Sequence, residues 1–276
     1  WFRDGREAAL PSAGFPYCRL FNPGEDAVLV TDLFGDGNLT TTTVPAALLS
    51  PKAKRKYAAM ELFFDGNWDK FFLQGSYTYA KSRGNTEGGV KSDNGQGNTN
   101  ITSDFDYLIL TTDTYGYLPN DRRHSFKLFG NYEITEQWSV GANLLIQSGR
   151  PLDCLGVSSP FPAHPDNIHP LGPSFMRCGT TPAGGLEGNP VAVRPRGTAG
   201  RLPWTSNLDL NVAYRPAFAE GLQFKVDVFN VFNSQKVTSV IEQAEDTTTG
   251  LPTDTYLLPA SFQAPRSVRF MVQYDF

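Results

Sequence analysis

The sequence has no stretch of about 18 or more consecutive apolar residues, so it contains no helix able to cross a bilayer. Histidine is scarce, at three in 276 residues. The three cysteines, Cys18, Cys154 and Cys178, form no CxxC pair and no Cys/His metal spacing. GxSxG, HExxH and the glycine loop that cradles phosphate are all missing, which removes the common motif-borne catalytic classes. Ser125 follows His124, but neighbours on a strand point to opposite faces, so the two cannot act as nucleophile and base. Charge of one sign is lacking too: 24 basic against 28 acidic residues give a net of -4, scattered along the chain. A nucleic-acid partner would need a basic patch or stripe, so none is expected. No catalytic site, cofactor or enzyme activity is expected. The first residues, WFRDGREAAL, lack both Met and the basic-then-apolar start of a signal peptide, and the chain reads as an excised C-terminal portion of something larger.

What the sequence does have is alternation of period two. In the last stretch Val268, Phe270, Val272, Tyr274 and Phe276 share one face, and Ser267, Arg269, Met271, Gln273 and Asp275 share the other. The same pattern marks six earlier runs. Met60, Leu62 and Phe64 alternate with Ala59, Glu61 and Phe63; Leu73, Gly75, Tyr77 and Tyr79 follow after a turn expected at Asp65-Gly66. His124 to Tyr132 and Trp138 to Ile146 flank a turn at Thr135-Glu136. Trp204 to Tyr214 and Leu222 to Val228 flank the turn PAFAEG, and the phase is lost at residues 229–233, where a β-bulge is expected. Residues 1–52 are loop-rich, with short strands expected at Tyr17–Phe21 and Ala27–Leu33 and a loop at GDGNLTTTT. Residues 53–276 form the strand-bearing domain.

Tight turns alternate with long loops at residues 82–120, 150–202 and 234–264, where much of the Gly and Pro lies. The patterned runs are about 10 residues or more, enough to cross a bilayer at a tilt. Aromatic residues stand at both ends of the apolar face with aliphatic residues between: Phe64, Tyr132, Trp138 and Tyr214 near the tight turns, Tyr77, Tyr79 and Trp204 toward the long loops. The expected fold class is therefore all-β, an antiparallel transmembrane β-barrel in the outer membrane. A soluble sheet with an apolar inner face is the competing reading of the period alone.

The ending RFMVQYDF resembles the C-terminal assembly signal of bacterial outer-membrane barrels, matched at Arg269, Tyr274 and Phe276, with Met271 where glycine is commoner. VDVFNVFNSQ is similar to a motif in the penultimate strand of TonB-dependent receptors; LPNDRRHSFKLFGNY, QWSVGANLLIQSGRP and the Cys-bearing loop after it resemble the Oar-like branch of that family. The resemblance covers about residues 50–276. It implies a C-terminal segment of a 22-stranded barrel, with long extracellular loops, short periplasmic turns and an N-terminal plug domain that is not visible here. It also implies the TonB complex, the barrel assembly machinery and outer-membrane lipid as partners, and energised uptake of an unknown small ligand or peptide. An adhesion or structural barrel without transport is the alternative, and an outer-membrane enzyme a weaker third.

Cys154 and Cys178 share one loop and are disulfide candidates, with Cys18 as a competing partner. Arg123, Lys127, Glu133, Asp209, Arg215, Lys225, Asp227 and Arg269 are expected to face the lumen, to meet plug or ligand or simply to keep the wall polar. His164, Asp166 and His169 could hold a metal, or form an exposed loop. Asp93, Asn94 and Asp104 could hold calcium, or belong to a solvated tract that lacks EF-hand spacing.

Overall fold

The structure, a computed structural model, describes residues 23–31, 37–99, 104–105, 108–157, 174–178 and 192–275. Its strands in chain order are β1 (Ala27–Thr31), β2 (Thr40–Val44), β3 (Arg55–Asn67), β4 (Phe71–Gly84), β5 (Gly116–Tyr117), β6 (His124–Glu133), β7 (Trp138–Gln147), β8 (Arg177–Cys178), β9 (Ala192–Val193), β10 (Thr205–Tyr214), β11 (Leu222–Phe229), β12 (Val237–Val240), β13 (Pro259–Phe262) and β14 (Ser267–Tyr274). The seven long strands pair in the order β14-β11-β10-β7-β6-β4-β3, and β5 adds a short rung beside the end of β4. Every long-strand pair is antiparallel and joins long strands that follow one another in the chain, through tight turns and long connections in alternation.

The period-two pattern sets the register, because a slip of one residue would turn each apolar set to the other face. Trp138 pairs with Tyr214, Tyr214 with Phe224 and Phe224 with Val272, so one face is apolar across four strands. The opposite face carries rows such as Gln74, Phe129, Asn143 and Asp209. Phe129 interrupts that polar row and packs on Phe72, ring centres 5.6 Å apart. A strand of ten residues at roughly 3.3 Å per residue is about 33 Å long, or about 23 Å across a membrane at a 45° tilt.

Three local expectations are revised. Asp65 and Gly66 lie inside β3, paired with Gln74 and Leu73, and Gly66 has no positive φ. The chain reverses later, between Trp68 and Phe71, where the Trp68 N–H donates to the Phe71 carbonyl at 2.8 Å. Trp68 stacks on Phe71 at 5.4 Å and contacts Phe64 at 6.3 Å, so aromatic packing and three further strand rungs, Asp65 to Asn67, outweigh the local preference of Asp-Gly. Residues 229–233 hold no bulge: β11 stops because Asn230 and Asn233 take left-handed backbone, φ 49° and 51°. The buried Asn230 amide then donates to the carbonyls of Ser234 (2.9 Å) and Ala264 (2.7 Å) and ties the strand end to the approach of β14. Finally, the threonines read as loop form β2, in register with β1, where β-branched residues are at home. Tyr17–Phe21 lies outside the described residues.

The buried apolar residues do not lie under the sheet. Of its long strands, only Ala80 and Ala213 contribute to them. Leu110, Leu118, Leu152, Leu155, Val157, Phe175, Met176 and Leu202 are buried, and all belong to the long connections that follow β4 and β7. This is the reverse of a soluble domain, in which sheet faces supply the core and loops lie over it.

Candidate functional site

The first site is the apolar face itself. Leu62, Phe270 and Val272 are 59, 78 and 64% exposed, and Met60, Phe64, Phe126, Leu210, Val212 and Phe224 are also exposed. No other layer of the described residues covers this row. An exposed apolar surface of that extent needs a non-aqueous neighbour. Its two ends identify the neighbour as a bilayer. Near the tight turns, Phe64, Trp68, Phe71 and Tyr132 form a chain of ring contacts, and Trp138 stacks on Tyr214 at 4.4 Å. Near the long connections, His124 lies between Tyr77, Tyr79 and Trp204 at 6.2, 5.2 and 5.4 Å, and the Tyr77 hydroxyl shares a 2.8 Å hydrogen bond with His124 Nδ1. Two aromatic girdles with aliphatic side chains between them form a lipid-facing band.

The second site is the assembly of the long connections. Cys154 and Cys178 are joined by a disulfide, Cα–Cα 5.8 Å, and pack with Ala244 from the connection after β11. The Leu155 N–H donates to the Glu242 carbonyl at 2.9 Å, and the Ala244 N–H to the Leu155 carbonyl at 2.8 Å. The Tyr117 N–H donates to the Arg196 carbonyl at 3.0 Å. Backbone bonds of this kind let three irregular segments share a dry interior, since buried polar groups must be paired.

Charged side chains hold that interior together. The Arg196 guanidinium is fully buried, 2.6 Å from Asp93 Oδ2, with its Nε donating to the Thr114 carbonyl at 3.1 Å. Lys91 reaches Asp104 at 2.9 Å, also buried. Asp153 accepts from the Gly197 N–H; burial, and after it the charge of Asp93, pushes its carboxyl well above the usual range. Glu242 pairs with Arg150 and accepts from the Asp153 N–H at 2.5 Å; burial raises it to about 7, against the pull of Arg150. Burial, then the charges of Glu242 and Asp153, push Tyr256 to about 12, where its hydroxyl donates to the Asp153 carbonyl at 3.3 Å. Asp121 gathers Arg123 and Arg201 and accepts the Ser82 N–H at 2.8 Å. Asp93 and Asp104 are thus engaged by Arg196 and Lys91 and assemble no calcium site with Asn94. None of these pairings carries a sequence signal, because the partners lie at no fixed spacing and several, such as Arg196 with Asp93 and Arg150 with Glu242, come from different loops.

The singled-out charged residues divide by position. Lys127, Asp209, Lys225, Asp227 and Arg269 stand on the polar face of the strands. Arg269, 60% exposed, meets the mostly covered Asp227 across the β11–β14 pair at 2.8 Å, and solvent around the guanidinium screens the pair to about 0–1 kcal/mol. Asp209 accepts the Asn230 N–H at 2.8 Å. Glu133 ends β6 opposite Ser139, and the exposed Arg215 lies in the tight turn, its N–H bonded to the Gln137 carbonyl. Arg123 precedes β6 and lies over the Tyr117 ring at 4.7 Å. Tyr274 pairs with Leu222 at the end of β14. Phe276, Cys18, His164, Asp166 and His169 lie outside the described residues.

Comparison with known proteins agrees with this geometry. The family model described as an outer membrane beta barrel domain matches residues 42–269. The chain is 29% identical over 267 residues to the TonB-dependent transporter Oar of Myxococcus xanthus, covering 82% of this chain and 23% of that protein. It is similar in structure to the ferric-catecholate import receptor Fiu of Escherichia coli K12 in its closed form (18% identity, 91% of this chain and 24% of that one, TM-score 0.43). It is also similar to the outer membrane transporter YddB of Escherichia coli (13% identity, 92% and 29%, TM-score 0.47). The chain spans about a quarter of the length of these relatives. It belongs to the outer membrane beta barrel domain family, and its sheet of seven long strands with the short β5 is a stretch of barrel wall integral to the outer membrane.

Proposed function

We propose that this wall belongs to a TonB-dependent transporter, not an enzyme, that draws a scarce ligand across the outer membrane. The supporting observation is the 29% identity to Oar, named a TonB-dependent transporter, over 82% of this chain. In this reading residues 53–276 form the barrel segment and residues 1–52 a loop-rich approach to it. Lys127, Asp209, Lys225, Asp227 and Arg269 line the lumen, facing the plug and the passing ligand, with Arg215 at the rim beside the tight turns. The disulfide-bonded assembly of long connections faces the exterior and the tight turns face the periplasm. Arg269, Tyr274 and Phe276 serve as the assembly signal.

The test is whether the purified, full-length protein in detergent binds the periplasmic domain of TonB. Binding is expected. A folded protein that does not bind it would remove transport and leave the adhesion reading. Sidedness is tested separately with Thr247→Cys in the last long connection and Glu136→Cys in a tight turn, both exposed positions. A membrane-impermeant maleimide added to intact cells should label the first and not the second; the opposite pattern would invert the topology.

A further inference from the structure

The apolar face does not end at the aromatic girdle; it changes chemistry. Along the β3–β4 ladder the paired residues on this face are Met60 with Tyr79, then Ala58 with Lys81, then Lys56 with Arg83. β5 places Tyr117 directly opposite Arg83 on the same face. The row that is lipid-facing up to Tyr79 therefore continues as Lys81, Arg83 and Lys56. Lys81 Nζ lies 5.7 Å from the Tyr79 ring. Around the Tyr117 ring stand three guanidiniums, Arg83 at 4.2 Å, Arg123 at 4.7 Å and Arg201 at 5.7 Å. Arg83 donates to the phenol oxygen.

Five cations meet one carboxylate here. Asp121 is shared by Arg123 and Arg201, and it is buried. Lys56, Lys81 and Arg83 form no ion pair among the described residues, and all three are exposed. Like charges gathered this closely repel unless an anion lies among them. The tight turns show no such excess: Asp69, Glu136 and Glu220 stand beside Lys70 and Arg215.

The level of the cluster identifies the anion. Lys81 is two residues beyond Tyr79 and Arg83 four. At roughly 3.3 Å per residue and a 45° tilt these are about 5 and 9 Å past the girdle. The headgroup zone is about 5–8 Å deep on each side of the hydrocarbon. Arginine forks match phosphate oxygens in pairs, and lysine on its flexible stem supplies a point charge.

We propose that Arg83, Arg123 and Arg201 around Tyr117, with Lys56 and Lys81 beside Arg83 on the same face of the β3–β4 ladder, bind the phosphate of a lipid headgroup in the leaflet beside the long connections. The acyl chains of that lipid lie on the band below Tyr79. The site depends on the membrane wall and not on transport, so lipid binding and TonB binding can fail independently.

The test uses the full-length protein, delipidated in detergent and then offered phosphatidic acid or phosphatidylcholine, with bound lipid counted by native mass spectrometry. Phosphatidic acid should be retained at least about tenfold over phosphatidylcholine. Each basic residue near an anionic surface strengthens attachment roughly fivefold, so Lys81→Gln with Arg83→Gln should lose about twenty-five-fold. Lys56→Gln alone should lose about fivefold, and it carries the test if the double variant does not show the heat-modifiable migration of a folded barrel. Lys70→Gln, at the other girdle, and Lys127→Gln, on the opposite face, should leave retention unchanged. Equal retention of both lipids, or loss of the same size from Lys70→Gln, would overturn the site. Displacement of the lipid by inorganic phosphate would overturn its assignment to a headgroup.

Discussion

Arg196 and Asp93, 103 residues apart in the chain, meet at 2.6 Å with neither side chain exposed to solvent. The pair joins the connection after β4 to the connection after β7. Removing one partner of a buried pair leaves an uncompensated charge, at a cost of about 3–5 kcal/mol. Arg196→Met should therefore loosen the loop assembly, and adding Asp93→Leu should restore much of the loss. Limited proteolysis of the folded protein measures this. The sequence suggests an open polar tract over residues 88–98, but Lys91 and Asp93 are buried within it. The unaltered protein should resist cleavage near Lys91, the single variant should be cut there, and the double variant should regain resistance.

Leu210 and Asn211 are adjacent on β10 and point to opposite faces of the sheet. Leu210→Arg places a cation in the lipid band and should cost about 2–4 kcal/mol, while Asn211→Arg should be near neutral. Folding into lipid vesicles, followed by heat-modifiable gel mobility, checks this. Similar losses at both positions would contradict the facing of β10.

The Cys154–Cys178 bond closes a loop with a sequence separation of 24. By chain entropy such a closure contributes about 3 kcal/mol. Cys154→Ser with Cys178→Ser should lower the stability of the loop assembly by about that amount and leave strand content unchanged. Peptide mapping of the non-reduced protein should recover residues 154 and 178 in one linked pair.

Glu242 offers a pH test with a definite sign. Its carboxyl lies at about 7 in the folded chain, against an ordinary 4.5, chiefly because of burial. Between those values the folded state holds more protons than the opened state, so this group's contribution to stability falls as pH rises. Hydrogen exchange at the peptide covering residues 150–157, corrected for intrinsic rate, should report a larger opening free energy at pH 5.5 than at pH 8. Glu242→Gln should flatten that slope between pH 4.5 and 7. A slope unchanged by the substitution would show that another group is responsible.

The strand pattern was legible because lipid and water sort side chains with a strict period of two. Leu208, Leu210, Val212 and Tyr214 on one face against Asn207, Asp209 and Asn211 on the other fix the position and phase of β10, and the same holds for the other six long strands. The girdles were legible too, since Trp138 and Tyr214, or Tyr77 and Tyr79, fall at the ends of the patterned runs. Even the two cysteines of one loop stood out. Tertiary structure alone decided the rest. Asp65-Gly66 prefers a turn locally, yet strand pairing and the packing of Trp68 on Phe71 move the reversal four residues on, to Asp69-Lys70. The loop assembly has no period to read. Arg196, Asp93, Asp153 and Glu242 come from three separate connections, and their charges are tolerated in a dry interior only because the folded backbone brings opposite charges and N–H donors within reach. Periodicity reports one environment repeated along a chain; a charge pair across 103 residues depends on where two unrelated segments end up, and only the fold sets that.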